Sequence, residues 1–351
     1  MKILLTGGCG FIGSAVVRRA VRQAGHEIVN IDKMTYAASE DALEDALTHP
    51  AHRLIKADIC DLAAMRAAFA EHQPDAVMHL AAESHVDRSI DGPGAFVQTN
   101  VTGTFIMLEA AREYFATLSG ERRERFRFHH ISTDEVFGAL EDHDPPFNEH
   151  TPYDPRSPYS ASKAASDHLA RAWMHTYGLP VIVSNTTNNY GKWQFPEKLI
   201  PLMLINAIEE KPLPVYGAGL NTRDWLFVDD HAEALLKVVT QGAPGQTYCI
   251  GARQPRKNID VVKAICAILD ELQPSPNGAR ERLITYVTDR PGHDHRYEID
   301  PSGAEAALDW TASHDFERGL RATIGWYLDH AAWWRGIRAR TYAGQRLGAV
   351  A

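Results

Sequence analysis

The first stretch of the chain constrains the fold more than any later one. Lys2–Thr6 is a short apolar run that reads as a buried strand, and Gly7, Gly10 and Gly13 follow it as a GxxGxxG turn opening a helix. A backbone turns this sharply where it must approach a pyrophosphate closely and a side chain would block the approach. The helix amino terminus then offers unpaired N–H groups and the positive end of its dipole. A lone glycine triplet is weak evidence, because glycines also mark ordinary turns. Here the context is specific: strand before, helix after, and Asp32 closing a second strand, Glu27–Asp32, about 20 residues on. An acid there accepts hydrogen bonds from the adenosine ribose hydroxyls and repels a 2'-phosphate, so the pattern selects NAD over NADP. Lys33 beside it reads as a solvated lysine. Asp58 ends the third strand, where an acid either holds the adenine amino group or caps the next helix.

Strand and helix signals then alternate. Further strands are expected at residues 53–56, 75–81, 126–132 and 181–185, and helices at 14–24, 62–71, 96–114 and 159–177. This rhythm gives an α/β fold, a doubly wound parallel Rossmann sheet covered by helices on both faces. Beyond Thr187 prolines 196, 201, 212 and 214 break the pattern. Residues 1–187 are therefore expected to form the NAD-binding domain, and 188–351 a smaller, irregular C-terminal substrate-binding domain. Segments near 225–251 are expected to return to the main sheet. An amphipathic helix is expected over 316–337, its Trp326, Trp333 and Trp334 serving as packing surface.

The chain's 351 residues suffice for such a pair of domains, and a formal charge of −9 argues against a general nucleic-acid binder. Four cysteines without a CxxC pair point to buried thiols in a reduced cytoplasmic protein. The amino-terminal apolar run is too short for a signal peptide, and no segment approaches the ~20 apolar residues of a membrane helix, so a soluble protein is expected. Seventeen histidines include the pair His293 and His295, but they fall in a loop with no third ligand evident, so no metal site is assigned.

Two clusters carry chemistry. In the run Pro158-Tyr159-Ser160-Ala161-Ser162-Lys163, Ser157 caps a helix whose first residue is Pro158, which sets Tyr159 and Lys163 one turn apart on one face. A tyrosine is a poor base at neutral pH unless a cation favours the phenolate; Lys163 and a nicotinamide ring supply that field. YxxxK arises often by chance and gains its meaning from the NAD pattern before it. The second cluster, Ser132-Thr133-Asp134-Glu135, sits at a strand end facing the ligand crevice. There adjacent carboxylates can divide acid and base duties, or Thr and Asp can simply make a turn beside a solvated Glu135.

Together these motifs resemble the extended short-chain dehydrogenase/reductases. LAAESHVDRS at 80–89, ISTDEVFG at 131–138, NNYG at 188–191, FPEKLIP at 195–201, RDWL at 223–226 and DRPGH at 289–293 narrow the likeness to the dTDP-glucose 4,6-dehydratase family, from Met1 to about Trp334. The resemblance implies NAD as cofactor, a nucleotide sugar as substrate and a homodimer. Tyr159 would deprotonate the C4 hydroxyl as hydride leaves C4, with Lys163 beside it and Thr133 holding the C4 oxygen. Glu135 would take the C5 proton, Asp134 would protonate the departing C6 hydroxyl, and hydride would return to C6. The same resemblance places Gly7, Gly10, Phe11, Ile12, Gly13, Asp32, Lys33, Thr35, Asp58, Ile59, Ala81, Ala82, Glu83, Thr99, Tyr159, Lys163 and Asn189 around NAD. It places Ser84, Thr133, Asn188, Lys198, Leu199, Pro214, Tyr216, Arg223, Asn258, Arg290 and His293 around the sugar nucleotide; without it, Arg223 reads as a surface residue. Cys9 in the glycine turn and Lys192-Trp193 after Tyr190-Gly191 depart from the usual pattern, as does a short segment between Gly138 and Thr151. Rival readings are a UDP- or GDP-sugar dehydratase, an epimerase or a decarboxylase of the same branch, or a noncatalytic NAD sensor that would not need Tyr159, Lys163 and both carboxylates.

Overall fold

The computed structural model describes residues 1–289, 292–345 and 347–348. Seven parallel strands form the central sheet: β1 (Lys2–Thr6), β2 (Glu27–Asp32), β3 (His52–Lys56), β4 (Ala76–His79), β5 (Arg127–Thr133), β6 (Val181–Thr186) and the edge strand Thr247–Ile250. Their order is Thr247–Ile250, β6, β5, β4, β1, β2, β3, so the chain reverses direction of travel between β1 and β4. Ligand crevices of open α/β sheets form at the carboxyl ends beside such a reversal.

Side chains of β1 alternate between two cores. Ile3 and Leu5 pack with helices Phe11–Arg22 and Val228–Gln241, while Leu4 packs with Leu62–His72 and Thr104–Thr117 on the other face. Burial on both faces explains why β1 is apolar at every interior position rather than alternating. Of the segments expected to return, Thr247–Ile250 is the sheet's edge strand and helix Val228–Gln241 covers one face. The strand leading into that helix, Thr222–Phe227, belongs instead to a second small sheet with Asn188–Tyr190, Pro255–Lys257 and Arg296–Tyr297. A third core joins helices Leu199–Ile208, Asn258–Leu272 and Phe316–Asp329.

Two expected helices are broken. The one expected over 96–114 is interrupted by a wide π turn, Val97–Gly103, before Thr104–Thr117. That turn aims Asn100 at the backbone of Glu83, where Oδ1 accepts from its N–H and Nδ2 donates to its carbonyl, both at 2.9 Å. Such turns mark sites where a helix gives up regularity to place a side chain. The one expected over 316–337 ends at Asp329 and resumes as Ala331–Arg340. His330 between them stacks on Trp326, 4.4 Å between ring centres. The break lets Trp334 turn into the core, fully buried, with its Nε1 donating to the Tyr327 carbonyl at 2.9 Å. Trp326 and Trp333 pack around Trp193, so these aromatics are packing surface.

Candidate active site

The glycine turn is built as a cradle. Gly7 has φ +79°, and a Cβ there would lie 2.8 Å from the Ala81 backbone. A Cβ on Gly13 would lie 2.1 Å from the Gly7 carbonyl oxygen. Gly10 caps the helix, which begins at Phe11 rather than at residue 14, because the glycines form its first turn ahead of the apolar periodicity. The unpaired N–H groups of that first turn therefore face the crevice.

Asp32 is held by two backbone donors, Cys9 N–H at 2.9 Å and Met34 N–H at 2.8 Å. Burial raises its pKa, with these bonds opposing. Lys33 is not simply solvated: its Nζ lies 2.6 Å from Asp58, beside the cradle. The helix Leu62–His72 is capped by Asp61, which accepts from Ala64 N–H at 3.0 Å, so Asp58 is not its cap. Burial pushes the Asp58 carboxyl up, but Lys33 and the Cys60 N–H together outweigh it and hold the group below its usual range.

Two cavities meet above the sheet's carboxyl edge. The first, about 340 Å³, is lined by Gly7, Gly10, Phe11, Ile12, Gly13, Asp32, Lys33, Thr35, Asp58 and Ile59 from the amino-terminal half of the sheet. Ala81, Ala82, Glu83, Ser84, Thr99, Thr133, Asp134, Tyr159, Lys163 and Asn189 complete it. The second, about 350 Å³, is lined by Leu199, Pro214, Tyr216, Arg223, Asn258 and His293. Glu135, Asn188, Glu197 and Lys198 line both. Thus all the expected cofactor positions border the first cavity, and the expected sugar-nucleotide positions border one or both; Arg290 lies outside the described residues. Asn188 Oδ1, Asn189 Oδ1 and Asn258 Oδ1 are buried without a hydrogen-bond partner. Buried polar atoms are normally satisfied, so these orphans fit a polar ligand. With the cradle, Asn188 and Asn189 meet the needs of a dinucleotide in the first cavity, while Asn258 lies in the second.

At the junction, Ser157 and Ser160 form a reciprocal capping box at 3.0 Å, with Pro158 at the first helical position of Pro158–Tyr177. Tyr159 and Lys163 are both buried. Lys163 Nζ donates to the Ile131 carbonyl at 2.8 Å. Burial lowers the Lys163 pKa, and burial followed by the Glu135 charge raises that of Tyr159. Thr133 Oγ1 donates to Asp134 Oδ1 at 3.2 Å and accepts from the Glu135 N–H at 3.2 Å. Burial and then the Glu135 charge push the Asp134 carboxyl up to about 8. Two neighbouring carboxylates in unlike settings can hold different protonation states.

Arg223 is buried, its guanidinium 4.2 Å from the Tyr297 ring and donating to the Asp294 carbonyl, not a surface residue. Lys198 Nζ donates to the Ser84 carbonyl at 2.6 Å. His293 faces Asp289 at 2.6 Å and His295 faces Asp142 at 2.7 Å. Sequence reasoning missed Tyr36, Glu197 and Tyr297 as lining groups. Glu197 ties Tyr36 OH at 2.9 Å and Arg88 Nε at 2.7 Å into the wall between the cavities. Glu197 and Arg88 lay inside motifs already singled out, which was the available signal; Tyr36 and Tyr297 lay in none.

A cradle for a dinucleotide that opens onto a tyrosine–lysine pair and then a second polar pocket is the layout of an NAD-dependent enzyme of the extended short-chain dehydrogenase/reductase class. Comparison with known proteins narrows it. Residues 4–323 match the family described as GDP-mannose 4,6 dehydratase. The chain is 56% identical to a dTDP-glucose 4,6-dehydratase of Escherichia coli over 100% of both chains, and 56% identical to one of Neisseria meningitidis over 99% of both. The crystal structure of DesIV, a dTDP-glucose 4,6-dehydratase from Streptomyces venezuelae with NAD bound, matches with TM-score 0.87 and 38% identity, over 96% of this chain and 100% of that one. A UDP-glucose 4-epimerase from Thermus thermophilus, 24% identical with TM-score 0.82 over 94% of this chain and 100% of that one, shares the fold. The chain belongs to the dTDP-glucose 4,6-dehydratase family.

Proposed function

We propose that the protein is an NAD-dependent dTDP-glucose 4,6-dehydratase, a hydro-lyase making dTDP-4-keto-6-deoxyglucose with no net oxidation. The observation that carries this reading is Glu135 at the meeting of the two cavities, beside an Asp134 whose pKa is pushed up to about 8. Hydride transfer alone asks for one proton carrier, which Tyr159 supplies. Removing water across C5 and C6 asks for a further base and a further acid, and here both stand next to that tyrosine.

Bound NAD supplies the hydride acceptor for C4 and, later in the same turnover, the hydride donor for C6. Tyr159 Oη takes the proton of the C4 hydroxyl, with Lys163 as the cation that favours the phenolate and Thr133 Oγ1 on the C4 oxygen. With a ketone at C4, the C5 hydrogen becomes acidic and Glu135 removes it. Asp134, protonated at neutral pH, donates to the departing C6 oxygen, water leaves, and C5 is reprotonated as C6 is reduced. Asp32 and the glycine cradle orient the dinucleotide. Arg223, with Lys198, Asn258 and Asn188, holds the sugar nucleotide, a guanidinium being suited to diphosphate oxygens.

The reading extends to organisation. The first two cores support a cofactor-binding part over 1–187 with the returning segments, joined by Ala304, Leu308 and Trp310, and the third supports a substrate-binding part made mainly from 188–351. An isologous homodimer is supported by Phe105, Trp173 and Tyr177, whose rings touch across helices Thr104–Thr117 and Pro158–Tyr177. Phe105 and Tyr177 there are 42% and 49% exposed. Four free cysteines support a reducing, cytoplasmic setting, and among the described residues no helix is long and apolar enough to cross a membrane.

The test is incubation of the purified protein with dTDP-glucose, without reductant, reading the alkali-induced absorbance of a 4-keto-6-deoxy sugar. UDP-glucose and GDP-mannose run beside it, with Tyr159→Phe and Glu135→Gln as controls. Product from dTDP-glucose, lost in both variants, is expected. No product from any of the three sugars with folded, NAD-loaded protein would sink the dehydratase reading; product from another base would reassign the nucleotide.

A further inference from the structure

Helix Pro158–Tyr177 carries Tyr159, Lys163, Asp167 and Arg171 at successive steps of four, so one stripe runs phenol, cation, anion, cation. The chemistry proposed above uses the first two. Asp167 is fully buried, where an ionised carboxylate is costly unless it is paired and hydrogen-bonded.

It is both. Oδ1 accepts from His130 Nε2 at 3.0 Å. Oδ2 accepts from Ser132 Oγ and Tyr153 OH, each at 2.8 Å, and from Asn185 Nδ2 at 3.4 Å. Asn185 Nδ2 also donates to the Thr133 carbonyl at 3.0 Å. One carboxylate therefore ties the helix that bears Tyr159 and Lys163 to the ends of β5 and β6, where Thr133, Asp134 and Glu135 begin.

The titratable groups facing it come from every neighbouring element: His130 from β5 with His79 behind it on β4, Tyr153 from the loop, and Lys163 and Arg171 from its own helix; β6 offers the neutral Asn185. Burial lowers the pKa of His130, which leaves that ring neutral at pH 7. Burial pushes the Asp167 carboxyl up, but its bond to His130, the Lys163 charge one turn away and the Ser132 bond outweigh it, leaving the pKa lowered. For Lys163, burial works against the ammonium and Asp167 works for it.

We propose that Asp167 is a positioning residue of this reaction, the fixed counter-charge that keeps the Lys163 ammonium in place beside Tyr159 and locks that helix to the acid–base end of β5. The proposal rests on the site reading above. Lys163 lies one turn from Asp167, about 6 Å along the axis, and Tyr159 two turns, about 12 Å, so the anion acts first on the lysine.

The experiment measures kcat and KM for dTDP-glucose against pH in wild type, Asp167→Asn, Ser132→Ala, Tyr153→Phe and Tyr159→Phe. Asparagine keeps the shape and removes the charge, so both Lys163 and Tyr159 bind protons less tightly. The acid limb of the kcat profile, set by Tyr159, is expected to move about one unit toward lower pH, while the alkaline limb, set by Asp134, stays near pH 8 and KM stays within about twofold. Ser132→Ala and Tyr153→Phe remove donors but leave the anion, and are expected to keep the limbs in place. An unmoved profile in Asp167→Asn beside an impaired Tyr159→Phe overturns this proposal alone. Full activity of Tyr159→Phe sinks the site reading and the proposal with it. Should Asp167→Asn fail to fold, nitrogen-15 lysine NMR on the wild type decides, with Lys163→Arg identifying the signal. An ammonium at pH 8 is expected, and a neutral amine there overturns the counter-charge role.

Discussion

Replacing Asp134 by asparagine should stabilise the folded chain at neutral pH while it removes the dehydration step. Asp134 is 1% exposed, and burial, followed by the Glu135 charge, pushes its carboxyl from 3.8 up to about 8. In the unfolded chain the same group ionises near pH 4. At pH 7 the folded protein thus keeps a proton that the unfolded chain releases, and this works against folding. The penalty is absent below about pH 4, grows as pH rises, and levels off once pH passes about 8. At about 1.4 kcal/mol per unit, the span from 3.8 to 7 sets a ceiling of about 4 kcal/mol. The Asp134→Asn variant keeps an acceptor for Thr133 Oγ1 and never ionises, but its amide brings donors whose burial without partners costs roughly 1–3 kcal/mol. The expected net gain is about 2 kcal/mol at pH 7, somewhat more at pH 8, turning to a loss near pH 4. Thermal melts of the variant and wild type across that range, with equal NAD loading, check it. A difference in melting temperature that is the same at both ends of the range, or a variant less stable at pH 8, would refute the buried-acid reasoning.

Other outcomes follow from the same geometry. Wild-type kcat is expected to fall as pH rises through about 8, as Asp134 loses the proton it donates; a flat alkaline arm in a pH–rate profile would count against that role. Tyr159→Phe should lower kcat by about 10²–10⁴-fold with folding intact by circular dichroism. Gly13→Ala drives a Cβ into the Gly7 carbonyl and should cut NAD affinity more than about tenfold in a fluorescence titration. Glu44 takes hydrogen bonds from Lys192 Nζ and Trp193 Nε1, both at 3.0 Å. Burial raises the Glu44 pKa, but these bonds and Arg18 outweigh it and hold it down to about 2. That contribution is present above about pH 4.5 and lost as pH falls through about 2, so Glu44→Gln should cost about 1–2 kcal/mol at pH 7 and little at pH 2 in denaturant titrations.

Much of the site was legible because its elements are local. Ser157, Pro158, Tyr159 and Lys163 lie within a few residues, and capping and helical spacing follow from that short stretch. The glycine turn, Asp32 and the alternation of strands and helices are local in the same way. What went astray was set by contacts between distant segments. Helix 96–114 breaks because Asn100 reaches Glu83, and the helix 316–337 breaks so that Trp334 reaches the core. Arg223 reads as a surface cation until the strand Thr222–Phe227 is placed inside a sheet and its guanidinium meets Tyr297 and Asp294. The departure at Lys192-Trp193 had no evident purpose in the chain itself; folded, both residues grip Glu44, 148 and 149 positions away in the sequence.

From its order of residues alone, this chain determines the parallel sheet, the glycine turn with its acid and the pairing of Tyr159 with Lys163, since each depends on periodicity or on groups a turn apart; the acid and base roles of Asp134 and Glu135 came from the family resemblance. Only the tertiary structure decides what state those groups are in. Asp134 and Asp167 are both buried aspartates, yet one is pushed up to about 8 and the other held below its usual range. The difference is the neighbours that folding brings: a second carboxylate, Glu135, beside the first, and His130, Lys163, Ser132 and Tyr153 around the second. A charge in a dry interior is governed by the groups that face it, and those come from strands and loops that the sequence keeps far apart.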